Sequence, residues 1–141
     1  MFLDRAVYYQ ELAEKAAMEQ VAMDVRSSVN LRVAELALEN RFAELRTLAV
    51  QNPMDLLARK PQNYLGVLNN PDAASVPPGN WYYDGSSREV VYNLDLGRYF
   101  APDEHGRKRV AWRVALAQGS AGKPDTPQWA RLELVKPYRW F

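Results

Sequence analysis

The dominant pattern in this chain is helical periodicity over residues 4–50. The stretch contains neither proline nor glycine, and strong helix formers fill its first half. Asp4 is placed to cap its start. The short polar side chains of Ser27, Ser28 and Asn30 compete for backbone hydrogen bonds, so we expect a bend there at most. The pattern therefore predicts one long, amphipathic helix.

Two apolar stripes run along this predicted helix, at steps of three and four residues. The first stripe comprises Met18, Val21, Val25, Val29, Val33 and Leu36. The second stripe comprises Leu31, Ala34, Leu38, Phe42, Leu45 and Ala49. The helix is apolar over a wide arc only from about residue 31 onward, so we expect the rest of the protein to cover its second half.

The length of the predicted helix exceeds what the rest of the chain can cover. A helix of residues 4–50 would be roughly 70 Å long, whereas the remaining residues would form a body roughly 30 Å across. We therefore expect residues 31–50 to be the spine of the domain. Residues 4–28 are expected to protrude into solvent, against a coiled-coil partner or into an assembly.

The residues after the helix predict a small β region. Asn52 and Pro53 suit the cap and first position of a short helix within a connecting region, residues 51–79. Tyr64 and Gly66 fall in a segment predicted to cross irregularly. Alternation of apolar residues then predicts strands at 81–84, 88–94, 109–117 and 129–135.

The apolar face of such a sheet needs a cover, which the second half of the helix can supply. The predicted fold is a single α+β domain of residues 1–141. A long N-terminal helix, residues 4–50, packs by its C-terminal half on a four-stranded antiparallel sheet, residues 80–135. An aromatic C-terminal tail, residues 136–141, follows the sheet.

Composition and charge exclude several classes of function. The 141 residues carry a net charge of +1, which argues against a bulk electrostatic attraction to nucleic acid or anionic lipid. The chain has no cysteine, so it forms neither disulfides nor thiolate metal sites. No run of 18 apolar residues is present to span a bilayer. Phosphate-binding loops, nucleophile elbows and zinc motifs are absent from the sequence, and we predict no enzyme.

Residues 95–105 hold the few side chains suited to acid–base or metal chemistry. His105 is the only histidine, and as a catalytic base it would need an orienting carboxylate or a nucleophile beside it. A plain turn residue needs neither, which favours that interpretation. Asp95, Asp103 and Glu104 supply oxygen atoms that could ligate calcium, although their spacing matches no known calcium loop. No cofactor is predicted.

Basic residues cluster around an aromatic residue further along the chain. Arg107, Lys108, Arg109 and Arg113 surround Trp112, and Lys123 and Arg131 follow. Phosphate contacts combined with stacking would suit single-stranded nucleic acid. Trp112 shares a predicted strand face with Val110 and Val114, however, which favours a core position. The candidate surface for a partner or DNA is therefore limited to basic residues, namely Arg107, Lys108, Arg109 and Lys123.

The chain ends in three aromatic residues among four positions, Tyr138, Trp140 and Phe141 with Arg139. Aromatic residues accompanied by arginine are favoured at protein interfaces. The alternative is that they pack back onto the edge of the sheet, and we favour packing.

Several short motifs between residues 52 and 92 resemble those of type IV pilins and type II secretion pseudopilins. The matching residues are Asn52-Pro53 with Leu56-Leu57, Pro61 with Asn63-Tyr64 and Gly66, Pro78-Gly79-Asn80-Trp81-Tyr82-Tyr83-Asp84, and Val90-Val91-Tyr92. The resemblance covers about residues 4–94. Within the family, the pattern of motifs is similar to that of a minor-pilin-like branch. The predicted order of helix, connecting region and sheet is also the architecture of that family.

This resemblance implies a structural subunit that polymerises through its N-terminal helix in a pilus or pseudopilus. Its partners would be other subunits, and Met18, Val21, Val25 and Val29 would form the assembly face of the helix. Family precursors carry a cleavable basic leader and an apolar segment that anchors them in the inner membrane. The resemblance therefore implies such a segment upstream of Phe2, with this chain lying in the periplasm or in an assembled extracellular filament. The alternative is a module that binds DNA or a surface receptor, with the helix as a stalk.

Overall fold

A computed structural model describes residues 2–118 and 127–141. Helix α1 spans Phe2–Leu38 and helix α2 spans Leu45–Val50, with a 3-10 turn at Phe42–Glu44 between them. Five strands follow, β1 (Tyr64–Leu68), β2 (Asn80–Asp84), β3 (Glu89–Asn93), β4 (Arg109–Gln118) and β5 (Pro127–Leu134). The prediction of an α+β fold with a long N-terminal helix packed on a sheet is confirmed.

The prediction of one continuous helix over residues 4–50 is wrong, because α1 ends at Leu38. Asn40 adopts a left-handed conformation with φ of 57°. The N–H of Arg41 then donates to the carbonyl of Leu36 at 2.8 Å, and that of Asn40 to Ala37 at 3.1 Å. These two bonds form a Schellman motif, in which asparagine is the usual substitute for glycine. Ser27, Ser28 and Asn30 do not interrupt α1, which agrees with the expectation of a bend there at most.

The break redirects the apolar stripes. Met18, Val25, Val29, Val33 and Leu36 form one buried line along α1 and belong to the main core. The second predicted stripe does not form a core face, because Leu31 is 63% exposed and Leu38 is 88% exposed. After the break, Leu45 and Leu48 of α2 return to the core. The covered arc is therefore narrower than the sequence indicated, and the opposite side of α1 remains on the surface.

The expectation that residues 4–28 protrude is also wrong. Two carboxylates of α1 hold the loop between β3 and β4, residues 94–108, which we call the β3–β4 loop. Glu14 accepts hydrogen bonds from the backbone N–H of Asp95 at 2.7 Å and of Leu96 at 2.9 Å. It also accepts one from the Tyr92 hydroxyl at 2.6 Å. The first half of α1 is thus fixed by polar contacts to a loop.

Glu11 makes the second of these attachments and is fully buried. Its Oε1 atom accepts from the backbone N–H of Tyr99 at 3.1 Å and from the indole N–H of Trp140 at 3.1 Å. Nearby, the ring of Tyr8 lies 5.1 Å from that of Phe141. The β3–β4 loop and the C-terminal tail therefore cover the part of α1 that the sheet does not reach. We call the contacts of Glu11 and Glu14 the carboxylate clamp.

In the part of the chain that the structure describes, the sheet has five strands in the order β1-β2-β3-β4-β5, not the predicted four. The four predicted strands are confirmed to within two residues, and they pair antiparallel. The extra strand, β1, pairs parallel with β2 and is irregular between Tyr64 and Val67. Gly66 lies in this irregularity with φ of 95°. A glycine inside a five-residue strand weakens the usual strand signal, so the sequence pattern predicts an irregular crossing at this point.

The sheet buries both of its faces to different extents. The helix side carries Trp81, Tyr83, Val90, Tyr92, Val110, Trp112, Val114, Ala130 and Leu132, all of which join the main core. The other side has a small cluster in which Val76 covers Tyr82 and Val91. The connecting region begins as predicted, since the Asn52 side chain accepts from the N–H of Met54 at 3.0 Å. The helix that follows is only a 3-10 turn, Pro53–Leu56.

Candidate functional site

The basic residues proposed as a DNA surface lie at one end of the sheet, where strand β4 begins. The Lys108 ammonium donates to the carbonyl of Gly97 at 2.7 Å, which ties this side chain to the β3–β4 loop. Arg109 lies 3.5 Å from the Tyr82 hydroxyl. Lys123 falls outside the described residues. Trp112 is buried, and its ring lies 5.2 Å from that of Trp81. Trp112 therefore cannot stack on a nucleic acid base, which agrees with the core position predicted for it.

Arg107 and Arg109 line a cleft of about 520 Å³ between the β3–β4 loop and residues 135–139. The cleft also receives acidic side chains, and Glu104 forms an ion pair with Lys136 across it. Positive and negative groups are thus mixed around the cleft. Such a lining does not provide the continuous positive groove that phosphate backbones require.

Asp103 has a structural role in the β3–β4 loop. Its Oδ1 atom accepts from the backbone N–H groups of His105 and Arg107, both at 2.9 Å. Although desolvation opposes the effect, these hydrogen bonds, led by that from Arg107, hold the pKa of Asp103 below its usual range. Asp103 therefore stays ionised as the pivot of a tight turn.

The structure does not bring together the oxygen ligands proposed for calcium. Asp103 is engaged within the β3–β4 loop, and Glu104 pairs with Lys136. The backbone N–H of Asp95 is bound to Glu14 on α1. Within residues 2–118 and 127–141, no three metal-binding side chains converge on one point. His105 is exposed, and a carboxylate oxygen of Glu104 lies 3.6 Å from its Nε2 atom. This places His105 on an open turn.

The four residues predicted as an assembly face lie inside the protein. Met18, Val25 and Val29 are buried, and Val21 packs partly buried against the same core. Their β-branched and long side chains form the most apolar line on α1, and the chain's own core takes up that line. The structure therefore corrects the prediction, because this face is not open to another subunit.

The opposite side of α1 carries a second, uncharged line of residues. We call this line the outer stripe; its members are Tyr9, Ala13, Ala16, Gln20, Met23, Ser27, Leu31, Ala34 and Leu38. All nine side chains are exposed, and they follow one another at steps of three or four residues over about 45 Å of helix. Asp24 borders the stripe and accepts a hydrogen bond from Gln20 at 3.0 Å.

This outer stripe is unusual for a surface helix, whose solvent side normally carries charged residues. Small side chains at Ala13, Ala16 and Ala34 lie on either side of the larger Met23 and Leu31. Small residues allow two helices to approach closely, and the larger ones supply apolar area. The sequence does carry a signal for the outer stripe, namely the absence of charged residues at these steps of three and four. The more strongly apolar stripe on the other side of α1 concealed that signal.

The C-terminal aromatic residues pack back onto the protein, as favoured from the sequence. Trp140 is buried and its ring meets that of Phe100 edge-on at 5.6 Å. Phe141 is partly exposed beside Tyr8 and Tyr99. The C-terminal tail therefore packs over the carboxylate clamp.

Comparison with known proteins leaves the family open. The chain matches no protein-family model, no curated protein and no solved structure. Among the described residues, no helix combines the length and apolar character needed to cross a membrane.

Proposed function

We propose that this protein is a structural, non-catalytic subunit of a type IV pilus or a type II secretion pseudopilus, and that it assembles through its N-terminal helix. The observation that carries the proposal is the outer stripe of α1. Nine exposed positions without a charge, in register along one side of a helix, provide a surface that another helix can cover.

The way in which α1 is attached to the domain supports the same proposal. Its inner side is anchored by the apolar core near Val29 and Leu36, and by the carboxylate clamp at Glu11 and Glu14. A helix held along its whole length presents a fixed outer surface. Fixed surfaces bind with a smaller loss of conformational entropy than flexible ones.

The motifs between residues 52 and 92 supply the link to the pilin and pseudopilin family. A long N-terminal helix packed on a largely antiparallel sheet agrees with the architecture that this resemblance implies. On this proposal, the partners are other pilin or pseudopilin subunits. The domain lies in the periplasm on an inner-membrane anchor, or outside the cell in an assembled filament.

A charge placed on the outer stripe tests the proposal. Ala16→Glu and Ala34→Glu put a carboxylate on exposed helix positions, where glutamate is itself a good helix former. We expect both variants to fold normally and to stop filament assembly in cells that produce the full-length gene product. Ala58→Glu, the same change in an exposed loop, is the matched control and should assemble normally.

Circular dichroism of the purified variants separates failed assembly from failed folding. Normal assembly of folded Ala16→Glu and Ala34→Glu would contradict the proposal. A second check lies in the gene itself, which we expect to encode a basic leader and about twenty apolar residues ahead of Phe2.

A further inference from the structure

Strand β5 forms an edge of the sheet. Among residues 2–118 and 127–141 it pairs only with β4, since the strand order ends there. The N–H of Val135 donates to the carbonyl of Ala111 on β4 at 2.9 Å. In an antiparallel ladder alternate residues face the partner strand, so the backbone groups of Ala130, Leu132 and Leu134 point away from β4. None of the described backbone hydrogen bonds outside the ladders uses them.

The side chains of β5 do not block this edge from another strand. Trp129 is 46% exposed and Leu134 is 40% exposed. Arg131 and Glu133 lie on the same face of the strand and form an ion pair with each other. An edge with unpaired backbone groups and exposed apolar side chains is a template for another strand.

The order of charges along β5 is self-complementary, and from it we infer that β5 pairs antiparallel with β5 of a second copy of this chain, about a twofold axis at Leu132. In this register Leu132 lies opposite Leu132 of the second copy. Arg131 lies opposite Glu133 twice, once on each side of the axis. Ala130 lies opposite Leu134, which joins apolar side chains on the helix side of both sheets.

Neighbouring registers lack this match. An axis at residue 131 places Arg131 opposite itself, and an axis at residue 133 places Glu133 opposite itself. Like charges directly opposite each other destabilise a strand pair. In the Leu132 register, the outward backbone groups of residue 132 in the two copies can also hydrogen-bond to each other. The twofold symmetry of the contact repeats every such bond.

This dimer uses different groups from the proposed assembly surface of α1. Helix α1 packs on the helix side of β5, whereas the strand pair forms through the outward backbone groups of β5. The outer stripe lies on the side of α1 that faces away from its own sheet. Pairing through β5 therefore uses none of the outer-stripe residues.

Disulfide trapping tests the register directly. The chain has no cysteine, so introduced thiols have no native competitor. Residues 131 and 133 of opposite copies form a non-hydrogen-bonded pair, whose Cα atoms lie about 4.5 Å apart in an antiparallel sheet. This distance lies within the range for disulfides. A mixture of the Arg131→Cys and Glu133→Cys chains should therefore form a mixed disulfide under mild oxidation.

A control mixture makes the trapping result decisive. A mixture of Arg113→Cys and Glu133→Cys chains measures random collision, because Arg113 lies on the interior strand β4. We expect the 131–133 mixture to link at least about tenfold faster than this control. Linking no faster than the control, or preferential self-linking of Arg131→Cys, would overturn the inference.

Sedimentation of the unmodified chain gives a second measurement. The proposal predicts a dimer that forms with concentration between about 10 µM and about 1 mM. Arg131→Glu creates two like-charge contacts and should raise the dissociation constant about tenfold or more. Arg59→Glu, the same change in an exposed loop, should leave it unaltered. A chain that stays monomeric throughout would contradict the proposal and leave the edge to a strand of another protein.

Discussion

The two halves of helix α1 are held to the same domain by different chemistry. The second half buries Val25, Val29 and Leu36 in an apolar core with the sheet. The first half is held largely by the carboxylates of Glu11 and Glu14, which bind backbone N–H groups of the β3–β4 loop and the indole of Trp140. Hydrophobic periodicity therefore identifies only one of the two attachments.

The difference has a consequence for how the helix can be used. Apolar packing needs a broad stripe of large side chains, whereas the carboxylate clamp needs two side chains and a loop of suitable shape. The clamp thus fixes the first half while most of its surface residues stay free, Tyr9 and Ala16 among them. The free side of α1 is what the proposed assembly requires.

The apolar attachment should give the largest effect when it is broken. Leu36→Ala removes a fully buried side chain and should lower the free energy of unfolding by about 3 kcal/mol. Leu38→Ala, two residues further along and on the outer stripe, should change it by less than about 0.5 kcal/mol. Urea unfolding of the two variants measures both values. Equal losses would show that the two sides of α1 are not distinguished in solution.

The carboxylate clamp should give a smaller effect. Glu11→Ala leaves the N–H of Tyr99 and the indole N–H of Trp140 without their acceptor, so we expect a loss of about 2 kcal/mol. Hydrogen exchange should accelerate at the amide of Tyr99 and remain slow in the second half of α1. Gln10→Ala, at the exposed position immediately before Glu11, serves as the control. If exchange rises equally in both halves, the clamp is not a separate attachment.

Particular residues explain how far the sequence predicted this fold. The alternation in residues 88–94 and 109–117 located β3 and β4 to within a residue, since apolar side chains must face the helix. Gly66 concealed β1, and Asn40 ended α1 where an apolar stripe continued, because one backbone conformation at each position outweighed the surrounding pattern.

The sites were predicted less well, for a related reason. The role of Glu14 depends on Asp95 and Leu96, which are about eighty residues away in the chain, and no local pattern records such a contact. The sequence-based prediction places the assembly face on the most apolar stripe, which includes Met18 and Val29. In a chain that folds on itself, that stripe is the one most readily buried.

The Tyr92 hydroxyl offers a pH test of the clamp. Desolvation, followed by its hydrogen bond to Glu14, raises the pKa of Tyr92 well above its ordinary value. A raised pKa in the folded state stabilises the protein below the unfolded value of about 10, and this contribution is lost as pH rises further. At pH 7, Tyr92→Phe should therefore cost about 1 kcal/mol through the lost bond.

The gap between wild type and Tyr92→Phe should then narrow above about pH 10, because only the wild type loses the contribution of this hydroxyl. Urea midpoints at several pH values provide the measurement. A gap that stays constant from neutral to alkaline pH would show that the hydroxyl is not protected by Glu14.

The smallest effect on stability is expected on the outer stripe. Met23→Gln exchanges one exposed side chain for another of similar length, so the free energy of unfolding should change by less than about 0.5 kcal/mol. Thermal unfolding measures the change. A large loss would mean that Met23 already packs within the monomer and is not available to a neighbour.

Photo-crosslinking in assembled material tests the central claim most directly. A benzophenone side chain at Met23 or Leu31 would sit on the outer stripe, and one at the exposed Gln62 would sit away from α1. In cells that produce the full-length protein, we expect the first two positions to capture a pilin or pseudopilin subunit and position 62 to capture none. Mass spectrometry identifies the adducts. If Met23 and Leu31 yield no subunit adduct in assembled filaments, the outer stripe is not the assembly surface.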